Sequence, residues 1–116
     1  MSDELKLPSE DYDLVSRAFH GELDTDQRLI AQEGIRWLAV LLRKNMDYGS
    51  SVFHPPVLKP TLESGDAILV RASDKVKRIE QLTRTKQNHV GEAIEDTIRD
   101  LGAYCLLWLA NPNRKQ

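Results

Sequence analysis

Several residue types and patterns are scarce in this chain of 116 residues, and each scarcity excludes a class of protein. The single cysteine, Cys105, excludes an internal disulfide, and its position on the apolar side of a predicted helix indicates a buried, unreactive thiol. The three histidines are dispersed, so the sequence lacks the spacing of a zinc site or of a catalytic cysteine–histidine pair. Glycine-rich phosphate loops of the P-loop or dinucleotide-binding type are also missing.

Positive charge and long apolar runs are lacking as well. With a formal net charge of −2 and a pI near 5.9, the chain lacks the excess of positive charge that is typical of proteins that bind duplex DNA or an anionic membrane surface. The sequence holds no apolar run of membrane-spanning length, and its start lacks the pattern of a signal peptide. We therefore expect a cytoplasmic protein with no direct contact to duplex DNA or membrane.

The remaining sequence predicts helices. Ser9 starts a first helix that Gly21 ends, and Asp24 or Thr25 caps a second that runs to about Lys44. Residues 45–60 contain three prolines and predict a long loop between helices 2 and 3. Two further helices follow, and residues 111–116 read as a frayed polar tail. Because no segment alternates with a period of two, we expect one all-α domain over residues 1–116, a compact bundle of about four helices.

The second predicted helix has an unusually broad apolar arc. Its apolar positions include Leu29, Ile30, Trp37, Leu38 and Leu41. A surface helix in so small a protein rarely needs more than one apolar face. The helix therefore either lies at the centre of the bundle or also packs against a second subunit, and we expect a homodimer or a higher homo-oligomer.

The last predicted helix carries three carboxylates on one side. Glu92, Asp96 and Asp100 recur every fourth residue, and the same quadrant continues through Ala103 and Leu107. This stripe therefore starts acidic, ends apolar, and is expected beside the core at a cleft. Like charges on one stripe are tolerated when they are solvated, when cations lie opposite them, or when they hold a metal.

The helix over residues 68–82 carries a second charged stripe, of net positive sign. It consists of Arg71, Asp74, Lys75 and Arg78, which border the apolar face. We expect this stripe to face the acidic stripe across a groove. The pairing has two interpretations: a structural salt-bridge network, or a site where the cations hold phosphate oxygens while carboxylates hold a divalent cation.

Three sequence blocks carry a family resemblance. They are KNMDYG at 44–49, RASDK at 71–75 followed by Arg78, and EAIEDTIRDLGAY at 92–104. In order and spacing they resemble the small phage and prophage family called nucleotide modification associated domain 1, over about residues 30–110. The helical acids are also similar, more loosely, to the all-α nucleoside triphosphate pyrophosphohydrolases that are MazG-like.

The resemblance implies a role in phage nucleotide metabolism or DNA-base modification, in the host cytoplasm. On this basis Glu92, Asp96 and Asp100 would bind Mg²⁺, Asp74 would position the basic side chains or complete the metal shell, and Tyr48 would stack on a base or ribose. Asn45 and Asp47 would contact polar edges of the ligand, or would only form the turn that ends the helix. The candidate ligand- and phosphate-binding residues are Lys44, Asn45, Asp47, Tyr48, Arg71, Asp74, Lys75 and Arg78.

Three classes of function follow, and the sequence assigns no catalytic residue to any of them. The first is an Mg²⁺-dependent nucleotide pyrophosphohydrolase. The second is a nucleotide binder without catalysis, which sequesters a nucleotide or a nucleotide-derived immune signal, or assists base modification. The third is a protein-interaction module in which the charged stripes are purely structural and no small molecule binds.

Overall fold

The computed structural model describes residues 5–85, 91 and 93–114, and confirms the predicted all-α class. Its four helices are α1 (Ser9–Phe19), α2 (Thr25–Tyr48), α3 (Ser64–Thr85) and α4 (Ile94–Ala110), with a short 3₁₀ helix at Ser51–Phe53. No strand occurs within the described ranges. Among the described helices, none is long and apolar enough to cross a membrane.

The chain divides into two compact units. The N-terminal unit is Met1–Val40 and the C-terminal unit is Leu41–Gln116, so that α2 contributes to both. The expectation of a single domain stays a prediction.

Side-chain hydrogen bonds define both ends of α2. At its start the backbone N–H of Gln27 donates to Asp24 Oδ1 at 2.8 Å, and the backbone N–H of Asp24 donates to Gln27 Oε1 at 3.2 Å, which is a reciprocal capping box. At its end Gly49 adopts the left-handed φ of 69° that stops a helix. The prediction that the helix ends at about Lys44 is wrong by one turn, because Asn45 Nδ2 donates to Gly49 O at 2.9 Å and supports a longer helix.

The N-terminal unit has no core of its own. Within residues 5–40 no residue is buried, although α1 and this part of α2 carry many apolar side chains. The start of α1 is tied to the preceding segment by the Tyr12 hydroxyl, which donates to Leu5 O at 2.8 Å. The apolar side chains of the two helices instead line an open groove.

The C-terminal unit is built on the packing of α3 against α4. Ile68 is fully buried and Ala67 nearly so, and Thr97 of α4 is fully buried as well. Asn111 Nδ2 donates to Ser64 Oγ at 2.8 Å, in a buried hydrogen bond that joins the end of α4 to the start of α3. The two helices are therefore antiparallel.

Residues 111–114 are anchored, so the prediction of a frayed tail is wrong for this segment; residues 115 and 116 lie outside the described residues. Asn113 Nδ2 donates to Phe53 O at 2.8 Å. The Arg114 guanidinium lies 4.3 Å from the centre of the Trp108 ring, a cation–π contact. Trp108 in turn packs over Gly65, where a Cβ would lie 3.5 Å from the indole nitrogen.

The rotation of α4 differs from the sequence prediction. Helical spacing in the sequence predicts an apolar face of this helix that includes Ile98, Cys105 and Leu109. All three are exposed in the structure, and Ile98 is 51% accessible. Thr97, one position away from Ile98, is the residue that enters the core. The expectation of a buried Cys105 is therefore wrong, because α3 covers the neighbouring side of the helix.

Candidate functional site

The last turns of α2 form one wall of a pocket in the C-terminal unit. Leu41, Lys44, Asn45 and Tyr48 line it, at the spacing that places side chains on one side of a helix. The turn after the helix continues the wall through Gly49 and the 3₁₀ helix. The side chain of Asn45 forms the hydrogen bond that ends α2, which confirms its part in the turn. Asn45 also lines the pocket, and its contact with a ligand stays a prediction.

The opposite wall comes from α3 and α4. Arg71 projects from α3, and Asp100, Ala103, Tyr104 and Leu107 project from α4. The predicted position of the stripe at a cleft is confirmed for Asp100, Ala103 and Leu107, whereas Asp96 of the same stripe does not line the pocket and Glu92 lies outside the described residues. Sequence reasoning missed Tyr104 as a pocket residue, although its position four residues after Asp100 places it on the same side of α4.

The pocket has a volume of about 400 Å³. This lies within the range of small-molecule sites, which are typically about 300–1,000 Å³. Its lining combines apolar side chains with two tyrosines and with charged groups at one side. Such a mixture suits a ligand that has a flat, partly apolar portion and an anionic portion.

Asp100 is the electrostatic centre of the charged side. Its Oδ2 lies 3.1 Å from Lys75 Nζ, and its Oδ1 lies 3.6 Å from Lys44 Nζ. Asp100 and Lys75 are about three-quarters buried, so this pair is less screened by water than a surface ion pair. One carboxylate therefore orients two ammonium groups that come from different helices, and the predicted facing of the two charged stripes is confirmed at this point.

Arg71 adds a third cation. It lines the pocket and forms no salt bridge with any other residue that the structure describes. Among the described residues, three cationic side chains lie at this side of the pocket or next to it, together with the carboxylate of Asp100. Cations therefore outnumber carboxylates among the described groups at this side, although the whole chain is slightly acidic.

Four of the eight predicted ligand-binding residues do not line the pocket. Asp47 and Asp74 are exposed, and Arg78 is half-buried on α3 about one turn beyond Lys75. Lys75 reaches the site through Asp100 without itself forming the pocket wall. Of the predicted ligand-binding set, the pocket brings together Lys44, Asn45, Tyr48 and Arg71.

The described residues do not by themselves assemble a magnesium site. Asp96 is well exposed and pairs with Arg99 at 3.5 Å, while Asp100 is engaged by two lysines. Within the described ranges no three acidic, histidine or cysteine side chains are grouped to hold a metal ion. Glu92, the third predicted ligand, lies outside the described residues. The magnesium site stays a prediction that depends on Glu92.

Comparison with known proteins gives one family assignment. Residues 44–111 match the family described as nucleotide modification associated domain 1, which is more than half of the chain. Comparisons with curated proteins and with solved structures give no match. The match begins at Lys44 and includes every charged residue of the pocket. The chain therefore belongs to the nucleotide modification associated domain 1 family.

Proposed function

We propose that this protein binds a nucleotide in the pocket between the end of α2, α3 and α4, and that binding rather than hydrolysis is its activity. The observation that carries the proposal is Arg71, a cation without an ion-pair partner in the described structure, beside a lysine and two tyrosines in one pocket. The family name supports an association with nucleotide modification.

The base of the nucleotide would occupy the part of the pocket that carries the tyrosines. Tyr48 is 76% exposed, so its ring is available for contact, and Tyr104 lies on α4 across the pocket. Aromatic rings stack favourably on flat π systems, and apolar side chains such as Leu41 and Leu107 exclude water around them. This arrangement favours a planar base without specifying which one.

The phosphate would lie at the charged side. Arg71 offers a planar fork of N–H donors, which suits the oxygens of a phosphate, and Lys44 offers an additional positive charge. Asp100 acts as a positioning residue, because it holds Lys44 and Lys75 before any ligand arrives. Prior orientation reduces the entropy that these long side chains would otherwise lose on binding.

A nucleotide binder of this kind could serve a phage in two ways. It could sequester a nucleotide or a nucleotide-derived immune signal, or it could supply a nucleotide to a base-modification system. Both need affinity and specificity but no chemical step, which agrees with the engagement of Asp100 by lysines.

An Mg²⁺-dependent pyrophosphohydrolase is the second candidate. Asp96 and Asp100 lie four residues apart on α4, and the large exposed fraction of Asp96 leaves its carboxylate accessible to an ion. With Glu92 they would supply oxygen ligands, and Mg²⁺ would neutralise charge on the phosphates when bound. This candidate requires nucleotide binding or turnover to depend on magnesium.

Thermal unfolding with a panel of nucleotides tests the proposal and separates the two candidates. The panel contains nucleoside mono-, di- and triphosphates and cyclic nucleotides, each measured with EDTA and with Mg²⁺. A ligand that binds only the folded state raises the melting temperature in proportion to the logarithm of its concentration over Kd. We expect stabilisation in EDTA. Stabilisation only with Mg²⁺ would favour the hydrolase, and none across the panel would contradict nucleotide binding.

A further inference from the structure

The groove of the N-terminal unit is a second concave surface, distinct in chemistry from the pocket. It has a volume of about 410 Å³ and lies between α1 and the first part of α2. Leu14 and Val15 line it from α1, and Ile30, Ile35 and Leu38 from α2. Gln27 is the only polar residue among those that line it. A surface of this composition is typical of helix–helix contact and not of a small polar ligand.

The N-terminal unit lacks the buried interior that would make it stable alone. It spans Met1–Val40, and within its described residues none is buried. Units below about 40 residues usually need a disulfide, a metal or association to fold stably. The one cysteine of the chain lies in the other unit, and the described residues of this unit include no group suited to a metal. Of the three means of stabilisation, association with another protein surface is the one that the described residues of this unit allow.

A mid-helix glycine marks where a neighbour can come close. Gly34 lies in the groove on α2, and nothing lies within 4 Å of the position that a Cβ would take. Glycine inside a helix destabilises the helix relative to alanine. Because nothing described in this unit lies close enough to Gly34 to require the absence of a side chain, the unit itself gives no reason for a glycine there. Together with Ala31, which lies almost one turn earlier in the same groove, Gly34 forms a low point on which another helix can pack.

We propose that two copies of this chain associate through this groove, so that α1 and the first part of α2 from each copy together form a four-helix bundle. Two helices that line one apolar groove supply half of such a bundle, and a two-fold axis lets the same surface serve both partners. The exposed parts of five large apolar residues that line the groove, Leu14, Val15, Ile30, Ile35 and Leu38, amount to roughly several hundred square ångströms. That is a large share of the roughly 800 Å² that each partner buries in a standard interface.

Sedimentation equilibrium of the full-length chain over a wide concentration range tests this proposal with a closely matched pair of variants. Ile30 lines the groove and is 72% exposed, whereas Leu29, its neighbour, is 58% exposed and does not line it. We expect a dimer for the wild type. Ile30→Asp should raise the dimer Kd at least about 100-fold, since it buries an unpaired charge, and Leu29→Asp should change it less than about threefold.

Gly34→Gln separates loss of the interface from loss of the fold. Glutamine is a better helix former than glycine and has free space in the isolated unit, so helix content by circular dichroism should be retained or increased. The dimer Kd should nevertheless rise at least about tenfold, because the side chain occupies the low point of the groove. A protein with normal helix content and a weakened dimer is the expected result.

Several outcomes would overturn the proposal. A wild-type chain that is monomeric at all concentrations is one. Equal effects of Ile30→Asp and Leu29→Asp, or an unchanged dimer in Gly34→Gln, would also overturn it. The fourth is a dimer that dissociates in Ile98→Asp but not in Ile30→Asp, since the interface would then lie on the exposed apolar side of α4.

Discussion

The two units of this chain differ in whether their described residues form a buried core. In the C-terminal unit, Ile68 and Thr97 are fully buried where α3 packs against α4, and a buried Ser64–Asn111 hydrogen bond closes the ends of the two helices. In the N-terminal unit, apolar side chains are as common, but none of the described ones is buried. The family match lies entirely within the C-terminal unit. The described part of the C-terminal unit therefore has a small buried core and that of the N-terminal unit has none, although both units also expose apolar side chains.

The largest difference between the units should appear when the same side chain is shortened in each. Ile68→Ala removes buried methyl groups at a fully enclosed site and should cost about 2–5 kcal/mol of unfolding free energy. Ile30→Ala removes them at a site that is 72% exposed, so its cost should be small in dilute protein and should grow with protein concentration. Urea unfolding at two protein concentrations measures both. Equal and concentration-independent losses would contradict the comparison.

Next in size is the effect of the unpaired cation in the pocket. Arg71→Gln should weaken nucleotide binding at least about tenfold, because a charge-assisted hydrogen bond contributes about 1.5–3 kcal/mol. Its unfolding free energy should stay within about 0.5 kcal/mol of the wild type. Arg84→Gln is the matched control, since Arg84 is an exposed arginine on the same helix that does not line the pocket. Comparable losses in the two variants would remove Arg71 from the site.

A third prediction concerns Asp100, which the two candidate functions use differently. Asp100→Asn removes a negative charge beside the proposed phosphate site but also the group that positions Lys44 and Lys75, and because these two effects oppose each other the affinity for nucleotide in EDTA should change less than about threefold. It should also cost about 1 kcal/mol of stability or less, because the paired groups are only partly buried. A large loss of affinity confined to solutions with Mg²⁺ would instead identify Asp100 as a metal ligand. Calorimetric titration in EDTA and in Mg²⁺ distinguishes these results.

The smallest effect should come from the end of α2. Asn45→Ala removes the hydrogen bond from Nδ2 to Gly49 O and should lower the unfolding free energy by about 0.5–1.5 kcal/mol. Because Asn45 also lines the pocket beside Tyr48, nucleotide affinity should fall only a few-fold, through loosening of that turn. Chemical denaturation and titration of the same preparation measure both effects. A loss of affinity larger than that of Arg71→Gln would indicate a direct contact to the ligand.

The helices and their charges follow from local sequence, whereas the composition of the site depends on packing. Spacings of three and four residues along a helix predict that Asp100, Ala103 and Leu107 lie at one cleft, and all three line the pocket. It could not determine that Arg71 lines the pocket and Asp74 remains outside, because that depends on how α3 is rotated against α4. The contact of Lys44 with Asp100 joins residues far apart in sequence.

The rotation of α4 shows the same limit. Ile98 belongs to the predicted apolar stripe and its neighbour Thr97 does not. Thr97 is nevertheless buried, and Ile98 is half-exposed. A helical wheel identifies the apolar side of a helix but not which part of it faces the partner, and the one-position difference decided where Cys105 lies. The predicted end of α2 is wrong because the sequence places Asn45 in the following loop. In the structure the Asn45 side chain donates a hydrogen bond to Gly49 O, and the helix continues to Tyr48.

The central claim is that this pocket binds a nucleotide as an anion, without a metal. Isothermal titration of the wild-type chain in EDTA, with the nucleotide that stabilises it most, tests this claim most directly. The account predicts saturable binding near one nucleotide per chain, with an affinity that weakens as salt is raised, because the contacts are between cations and phosphate. Absence of binding in EDTA, together with binding or hydrolysis in Mg²⁺, would contradict it.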